Sequence, residues 1–171
     1  VELRHVGLVA GDREAHPGRL RRRALERLHR LANAVRDKVD YVSDTTHAET
    51  SAAEAFAAGT GVCQDHAQVL IAAARHLGFP ARYVSGYLCP MEDGFPAASH
   101  AWAELFVDGL GWVGFDPANR VSPDEHYVRV ACGRDYRDAA PVRGVRRGGE
   151  DEAQDQTGGE TAHGPTVADG G

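Results

Sequence analysis

Three residues whose types could together perform acyl transfer lie far apart in this 171-residue sequence: Cys63, His100 and Asp116. A thiol attacks as a thiolate, so it needs a base, and the base needs a group that orients it. Cys63 follows Gly59 and Gly61 and directly precedes a helical pattern. Unpaired N–H groups at a helix N-terminus favour a thiolate and can stabilise an oxyanion. On this stretch alone, a small buried hydrophobic residue is the more common fate of a free cysteine.

The base and its orienter depend on the register of one hairpin. His100 begins the apolar stretch HAWAELFV, and Asp116 ends the stretch WVGFD, with DGLG at 108–111 between them. If Val107 opposes Gly111 around a three-residue loop, Asp116 lies on the same face as His100, diagonal to it. If Asp108 opposes Gly111, Asp116 lies on the other face. A triad therefore predicts an odd-length loop or a bulge at this turn.

A metal site is the alternative for the cysteine. Cys63 and His66 are three residues apart, and Cys89 with His100 would complete a tetrahedral zinc site. A structural zinc site usually has two close ligand pairs, and only one is visible, so we expect no metal and no cofactor. His66 is interpreted as a helix-surface or site-flanking residue. No phosphate loop, dinucleotide fingerprint or serine nucleophile elbow is visible.

The periodicity predicts helices first and strands afterwards. Pro17 opens a helix whose apolar stripe is Leu20, Ala24, Leu28, Leu31, Val35 and Val39. Ser51 and Glu54 form a capping box for a short second helix. A third helix follows in QDHAQVLIAAARHLG, with Asp65 suited to its N-terminus and Gly78 to its end. Short strands are then predicted in RYVSGYL, HAWAELFV, WVGFDPA and YVRVAC. This order predicts an α+β fold with N-terminal helices packed on an antiparallel sheet.

Composition restricts the function classes. The chain has 19 Lys and Arg against 25 Asp and Glu, a net charge of −6, which argues against nucleic acid or an anionic membrane as the main partner. We interpret the arginines of the first helix as a solvated face. No stretch approaches the ~20 apolar residues of a membrane span. Three widely spaced cysteines rule out a complete disulfide framework and favour a reducing, cytoplasmic setting.

The chain divides into three parts. Residues 1–16 are an irregular lead-in, either the end of a strand or the remnant of an upstream domain. Residues 17–146 form the predicted core. Residues 147–171 are acidic and glycine-rich and have too few apolar side chains to bury, so we expect this tail to be disordered.

GVCQD, ARYVSGY, SHAW and GWVGFDPAN, in this order, resemble the transglutaminase-like superfamily, and in particular its bacterial cysteine-protease-like branch. The resemblance covers about residues 30–145. It implies a papain-like core with Cys63 as nucleophile, His100 as general base and acid, and Asp116 as the orienter of His100. The Cys63 backbone N–H is the expected oxyanion donor, with Tyr41 as a weaker candidate for a second. The candidate cleft-wall residues are Gln64, Trp102 and Trp112.

The implied activity is acyl transfer on an amide bond through a thioester. Hydrolysis of peptide or isopeptide bonds is favoured over transamidation, and the expected partner is a protein or peptide substrate. A non-catalytic binding or scaffold module of the same fold is the alternative, against which the complete triad argues. The chain departs from the family where an N-terminal β-rich domain and a closing apolar strand would stand. No calcium loop with the required ligand spacing is visible.

Overall fold

The computed structural model describes residues 16–43, 50–89 and 97–140. In chain order the elements are α1 (Pro17–Lys38), β1 (Asp40–Tyr41), α2 (Ala52–Ala58), β2 (Thr60–Gly61), α3 (Cys63–His76), β3 (Ala81–Leu88), β4 (Ala98–Val107), β5 (Gly111–Phe115) and β6 (Tyr127–Gly133). The predicted tail, and all of the lead-in except residue 16, lie outside the described residues. None of the helices described is long and apolar enough to cross a bilayer.

Helix α1 buries its C-terminal half. Leu28, Leu31 and Val35 are buried as the stripe predicts, and Val39 just beyond the helix is fully buried. Leu20 is an exception, since 38% of its surface remains exposed. The apolar stripe is therefore buried along its C-terminal half, and its first residue stays exposed.

The predicted start of α2 and the predicted end of α3 are both confirmed. The Ser51 side chain accepts from the Glu54 N–H, and the Glu54 carboxylate accepts from the Ser51 N–H, so the capping box is complete. Gly78, directly after the C-cap Leu77, has a φ of 84°, the left-handed conformation that ends many helices. Helix α3 thus runs from the cysteine to the residue before its C-cap.

The main sheet has four strands in the order β5–β4–β3–β6, with every neighbouring pair antiparallel. Alternation along the strands gives it two faces. One face packs on the helices and forms the core with Tyr83, Ala101, Ala103, Leu105 and Phe115. His100, Trp102 and Glu104 alternate with these core residues along β4. The α+β prediction is confirmed, and the core lies between the helices and one face of this sheet.

A second sheet, of two strands, was not predicted from the sequence. Strands β1 and β2 are parallel, and Tyr41 pairs with Gly61. Two residues per strand are too few to produce an alternating pattern, which explains why no strand was predicted there. This pairing ties the end of α1 to the residues that precede Cys63.

The predicted hairpin register is confirmed. Val107 pairs with Gly111, and the pairing continues to Ala103 opposite Phe115. The Leu110 N–H donates to the Val107 carbonyl at 2.9 Å, which closes the three-residue loop. Gly109 and Gly111 have φ values of 76° and 83°, a conformation that favours glycine. Asp116, which follows β5, is therefore carried to the face of His100.

We expect Gly111→Ala to destabilise the protein by about 1 kcal/mol, because a side chain at positive φ is strained. A Cβ at this position would meet no atom within 4 Å, so the effect isolates the backbone conformation. Chemical denaturation measures it, with Asp108→Ala in the same exposed turn as the control. Equal stability of the Gly111→Ala variant and the parent would contradict strain of a side chain at this positive φ.

Candidate active site

Cys63 is the first residue of α3, and only 5% of its surface is exposed. The start of the helix is fixed by Asp65, whose Oδ2 accepts from the Val62 N–H at 2.9 Å. Gly61 makes room for this contact, since a Cβ there would lie 2.7 Å from the Asp65 Cβ. The Cys63 N–H belongs to the first turn, where a helix supplies no carbonyl partner, so it is available to an oxyanion.

His100 and Asp116 are in direct contact. Nε2 of His100 lies 2.6 Å from Oδ2 of Asp116, and the side chains are 9% and 0% exposed. Nε2 faces the carboxylate, which leaves Nδ1 for the other side of the ring. The Cys63 side chain also acts on the His100 ring, since it contributes to raising the pKa of His100. The structure thus brings together the three residues that the sequence proposes for a triad.

The electrostatics favour a charged histidine. Burial alone would lower the pKa of His100, but the Asp116 carboxylate and Cys63 outweigh burial and raise it to about 9. Burial would raise the pKa of Asp116, but hydrogen bonds from His100, Tyr127 and Asn119 lower it instead. An imidazolium between a carboxylate and a thiol is therefore the favoured state at neutral pH.

Two residues that sequence analysis missed hold Asp116 in place. The Asn119 amide donates to Oδ2 of Asp116 at 2.8 Å, and the Tyr127 hydroxyl donates to the same oxygen at 2.9 Å. The pKa of Tyr127 is raised by burial and by Asp116, so the hydroxyl stays a donor. The turn DPAN gives a local signal for Asn119, whose N–H also bonds Asp116 at 3.3 Å. Tyr127 lies on β6, and only the strand order brings it near.

The weaker oxyanion candidate lies beside the site. Through the β1–β2 pairing, Tyr41 stands next to Gly61, two residues before Cys63. Burial, then Cys63 and Asp116, raise the pKa of Tyr41, which keeps its hydroxyl protonated.

The cleft-wall candidates take different positions. The Gln64 Oε1 accepts from the Cys63 thiol at 3.1 Å. Trp102 is buried, and its ring is 6.4 Å from that of His100, in a stacked orientation. Trp112 lies farther along the sheet, against Phe106 and with the Arg82 guanidinium 4.3 Å from its ring centroid. Gln64 and Trp102 therefore border the triad, and Trp112 belongs to a separate cluster.

His66, one of the residues of the metal alternative, is engaged by the backbone. Both ring nitrogens of His66 face backbone carbonyl oxygens, and the ring is fully buried. His66 is therefore not on the helix surface, which was the first of the two sequence interpretations. Among residues 16–43, 50–89 and 97–140, no group of three or more His, Cys, Asp or Glu side chains is placed to hold a metal ion.

This arrangement of thiol, imidazole and carboxylate on a helix start and an antiparallel sheet defines a papain-like α+β fold. A family model of the transglutaminase-like superfamily matches residues 18–117, and the chain belongs to that superfamily. Within this superfamily, the chain is similar to the cysteine-protease-like members.

Curated relatives occur in mycobacteria. An uncharacterized protein of Mycobacterium leprae is 40% identical over 122 residues, covering 68% of this chain and 43% of that protein. An uncharacterized protein of Mycobacterium tuberculosis is 39% identical over 142 residues, covering 77% of this chain and 45% of that protein. The chain thus spans less than half the length of these relatives.

Solved structures share the fold. A candidate cysteine protease from Cytophaga hutchinsonii superposes with a TM-score of 0.59 and 31% identity, covering 72% of this chain and 45% of that one. LapG of Legionella pneumophila superposes with a TM-score of 0.53 and 13% identity, covering 68% of this chain and 71% of that one. The second similarity is one of fold alone.

The His100–Asp116 pair predicts a pH dependence of stability. The pKa of His100 is raised, so its contribution is complete below the unfolded value of about 6.5. It is lost as the pH rises through about 9. The pKa of Asp116 is lowered, so its contribution is present above the unfolded value of about 3.9 and is lost as the pH falls through the folded value.

Denaturation between pH 5 and 10 measures this effect. We expect the free energy of unfolding to decline from about pH 6.5 to 9, and the decline to be much smaller in His100→Gln combined with Asp116→Asn. The double variant avoids leaving Asp116 buried as an unpaired charge. The same decline in both proteins would mean that other groups cause it.

Proposed function

We propose that this chain is a cysteine-dependent acyl-transfer domain that cleaves amide bonds of protein or peptide substrates through a thioester. The observation that carries the proposal is the 2.6 Å contact of His100 with Asp116, with Cys63 near enough to contribute to raising the pKa of His100. An imidazolium nearby and a position at the start of α3 both stabilise a thiolate, so the proposed resting state is a thiolate–imidazolium pair of Cys63 and His100.

In the first half-reaction the Cys63 sulfur attacks the amide carbonyl carbon and forms a C–S bond. The carbonyl electron pair moves to oxygen, and the proposed donors to this oxyanion are the Cys63 N–H and the Tyr41 hydroxyl. The C–N bond then breaks as His100 gives its proton to the departing amine. A thioester remains on Cys63, and His100 is neutral.

In the second half-reaction His100 takes a proton from the incoming nucleophile, which attacks the thioester carbonyl. Expulsion of the Cys63 thiolate restores the resting pair. Water gives hydrolysis and a primary amine gives transamidation. We favour hydrolysis of peptide or isopeptide bonds, and the likeness at 31% identity to a candidate cysteine protease supports this choice.

Alkylation tests the activation of the thiol with an internal comparison. Cys63 is buried, Cys89 is partly exposed and Cys132 is exposed. Exposure alone therefore predicts that Cys63 is alkylated most slowly. We expect iodoacetamide at neutral pH to modify Cys63 first, because a thiolate and not a thiol reacts. Peptide mapping by mass spectrometry gives the three rates. A rate for Cys63 no higher than that of Cys132 would favour a non-catalytic scaffold.

Product mass tests the reaction itself. The protein is incubated with glutamine-containing peptides and with isopeptide-linked peptides, each with and without a primary amine. Cleavage or deamidation without the amine identifies a hydrolase, and amine incorporation identifies a transferase.

We expect Cys63→Ala to abolish both products and Asp116→Asn to lower kcat by at least 100-fold, since the histidine loses its orienting charge. Cys132→Ala is the matched control. Product formation by Cys63→Ala at the parent rate would contradict the proposal.

A further inference from the structure

His66 is a buried titratable residue that the proposed chemistry does not use. It lies in the first turn of α3, and its side chain is completely buried. Nδ1 is 2.8 Å from the Val62 carbonyl oxygen, and Nε2 is 2.8 Å from the Val39 carbonyl oxygen. Both ring nitrogens therefore face groups that only accept hydrogen bonds.

A neutral imidazole cannot satisfy this geometry. It has one N–H and one lone pair, so in either tautomer one lone pair would face a carbonyl oxygen at 2.8 Å. Turning the ring over would put carbon atoms at these positions, closer than the ~3.3–3.6 Å of C–H···O contacts. Only a ring with protons on both nitrogens donates to both oxygens.

We infer that His66 is held as an imidazolium and acts as a positioning residue. It ties the segment that carries Tyr41 to the start of the helix that carries Cys63. Its charge also favours the Cys63 thiolate. The link to Tyr41 and Cys63 as acting groups rests on the proposed function; the protonation of His66 does not.

The surrounding charges can balance this cation. Arg36 on α1 donates to the Val39 carbonyl at 3.1 Å, so one other cation is nearby. Asp40 lies 3.8 Å from Arg36, and Asp65 is buried one residue before His66. Asp40 is 82% exposed and screened by solvent, so the buried Asp65 carboxylate is the anion that can compensate an imidazolium at His66. A buried charge needs such compensation.

The contacts of the ring explain its positioning role. Val39 immediately precedes β1, and Val62 immediately precedes Cys63. One ring thus bridges the two chain segments that enter the site. Tyr41 stacks on the same ring, with centroids 6.0 Å apart and planes at 26°. The position of the Tyr41 hydroxyl therefore depends on His66.

The first experiment observes the ring directly in the unmodified protein. Long-range proton–nitrogen NMR of protein labelled with 15N-histidine distinguishes a protonated from an unprotonated ring nitrogen. We expect His66 to show two protonated nitrogens at pH 7, assigned by the loss of its signals in His66→Gln or by contacts with Tyr41. A signal from an unprotonated nitrogen would overturn the inference.

The second experiment tests the effect on Cys63. His66→Phe keeps a ring against Tyr41 but loses both donors and the charge, and His76→Phe, at the exposed end of α3, is the matched control. Near pH 6 we expect Cys63 alkylation to slow about 3–10-fold in folded His66→Phe, with no change at high pH. If the alkylation rate of Cys63 depended on pH in the variant as it does in the parent, the charge on His66 would have no effect on Cys63.

Failure of this inference is separable from failure of the proposed function. Acyl transfer by a protein whose His66 is neutral would overturn only the inference. Two protonated nitrogens in a protein without acyl transfer would overturn only the proposed function.

Discussion

The register of the β4–β5 hairpin is the constraint on which the site depends. With Val107 opposite Gly111, the residue after β5 falls on the face of His100. A shift of one residue would turn Asp116 away and would also move Phe115 out of the core, where it is 1% exposed. The same pairing therefore places an apolar side chain and a carboxylate correctly. Core packing and site geometry stabilise one register together.

The buried carboxylate imposes the next requirement. Asp116 is 1% exposed, and a buried charge is costly unless it is fully hydrogen-bonded. His100, Asn119 and Tyr127 all bond to it, and its own backbone pairs with Val121. These partners come from β4, from the turn after β5 and from β6. The charge consequently links the two outer strands of the sheet to the histidine, and the site contributes to the order of the strands around it.

Local patterns in the sequence predict the features that neighbouring residues determine. The capping box of α2, the glycine at the end of α3 and the three-residue hairpin loop depend on neighbouring residues, so they are visible in the sequence. The contact of His100 with Asp116 was predictable because one hairpin separates them and alternation has a period of two.

Features that depend on strand order are not predictable in this way. Tyr127 meets Asp116 only because β6 pairs with β3, and β3 in turn with β4. Tyr41 meets the α3 start through a two-residue parallel pairing that no periodicity indicates. His66 looks like a surface residue because the first turn of a helix is usually solvated, and the carbonyl oxygens that surround it come from Val39 and Val62.

The two histidines near the cysteine differ in what surrounds them, and this separates their tasks. His100 has one ring nitrogen on a carboxylate and lies near a thiol, which exchanges protons, so its proton can leave and return. His66 faces two carbonyl oxygens, which never supply or take a proton, so a proton on either nitrogen has nowhere to go within the site. Under the proposed chemistry His100 cycles between charged and neutral forms. A fixed charge at His66 would keep the surroundings of Cys63 constant through that cycle, and the thiolate would remain a good leaving group when His100 is neutral.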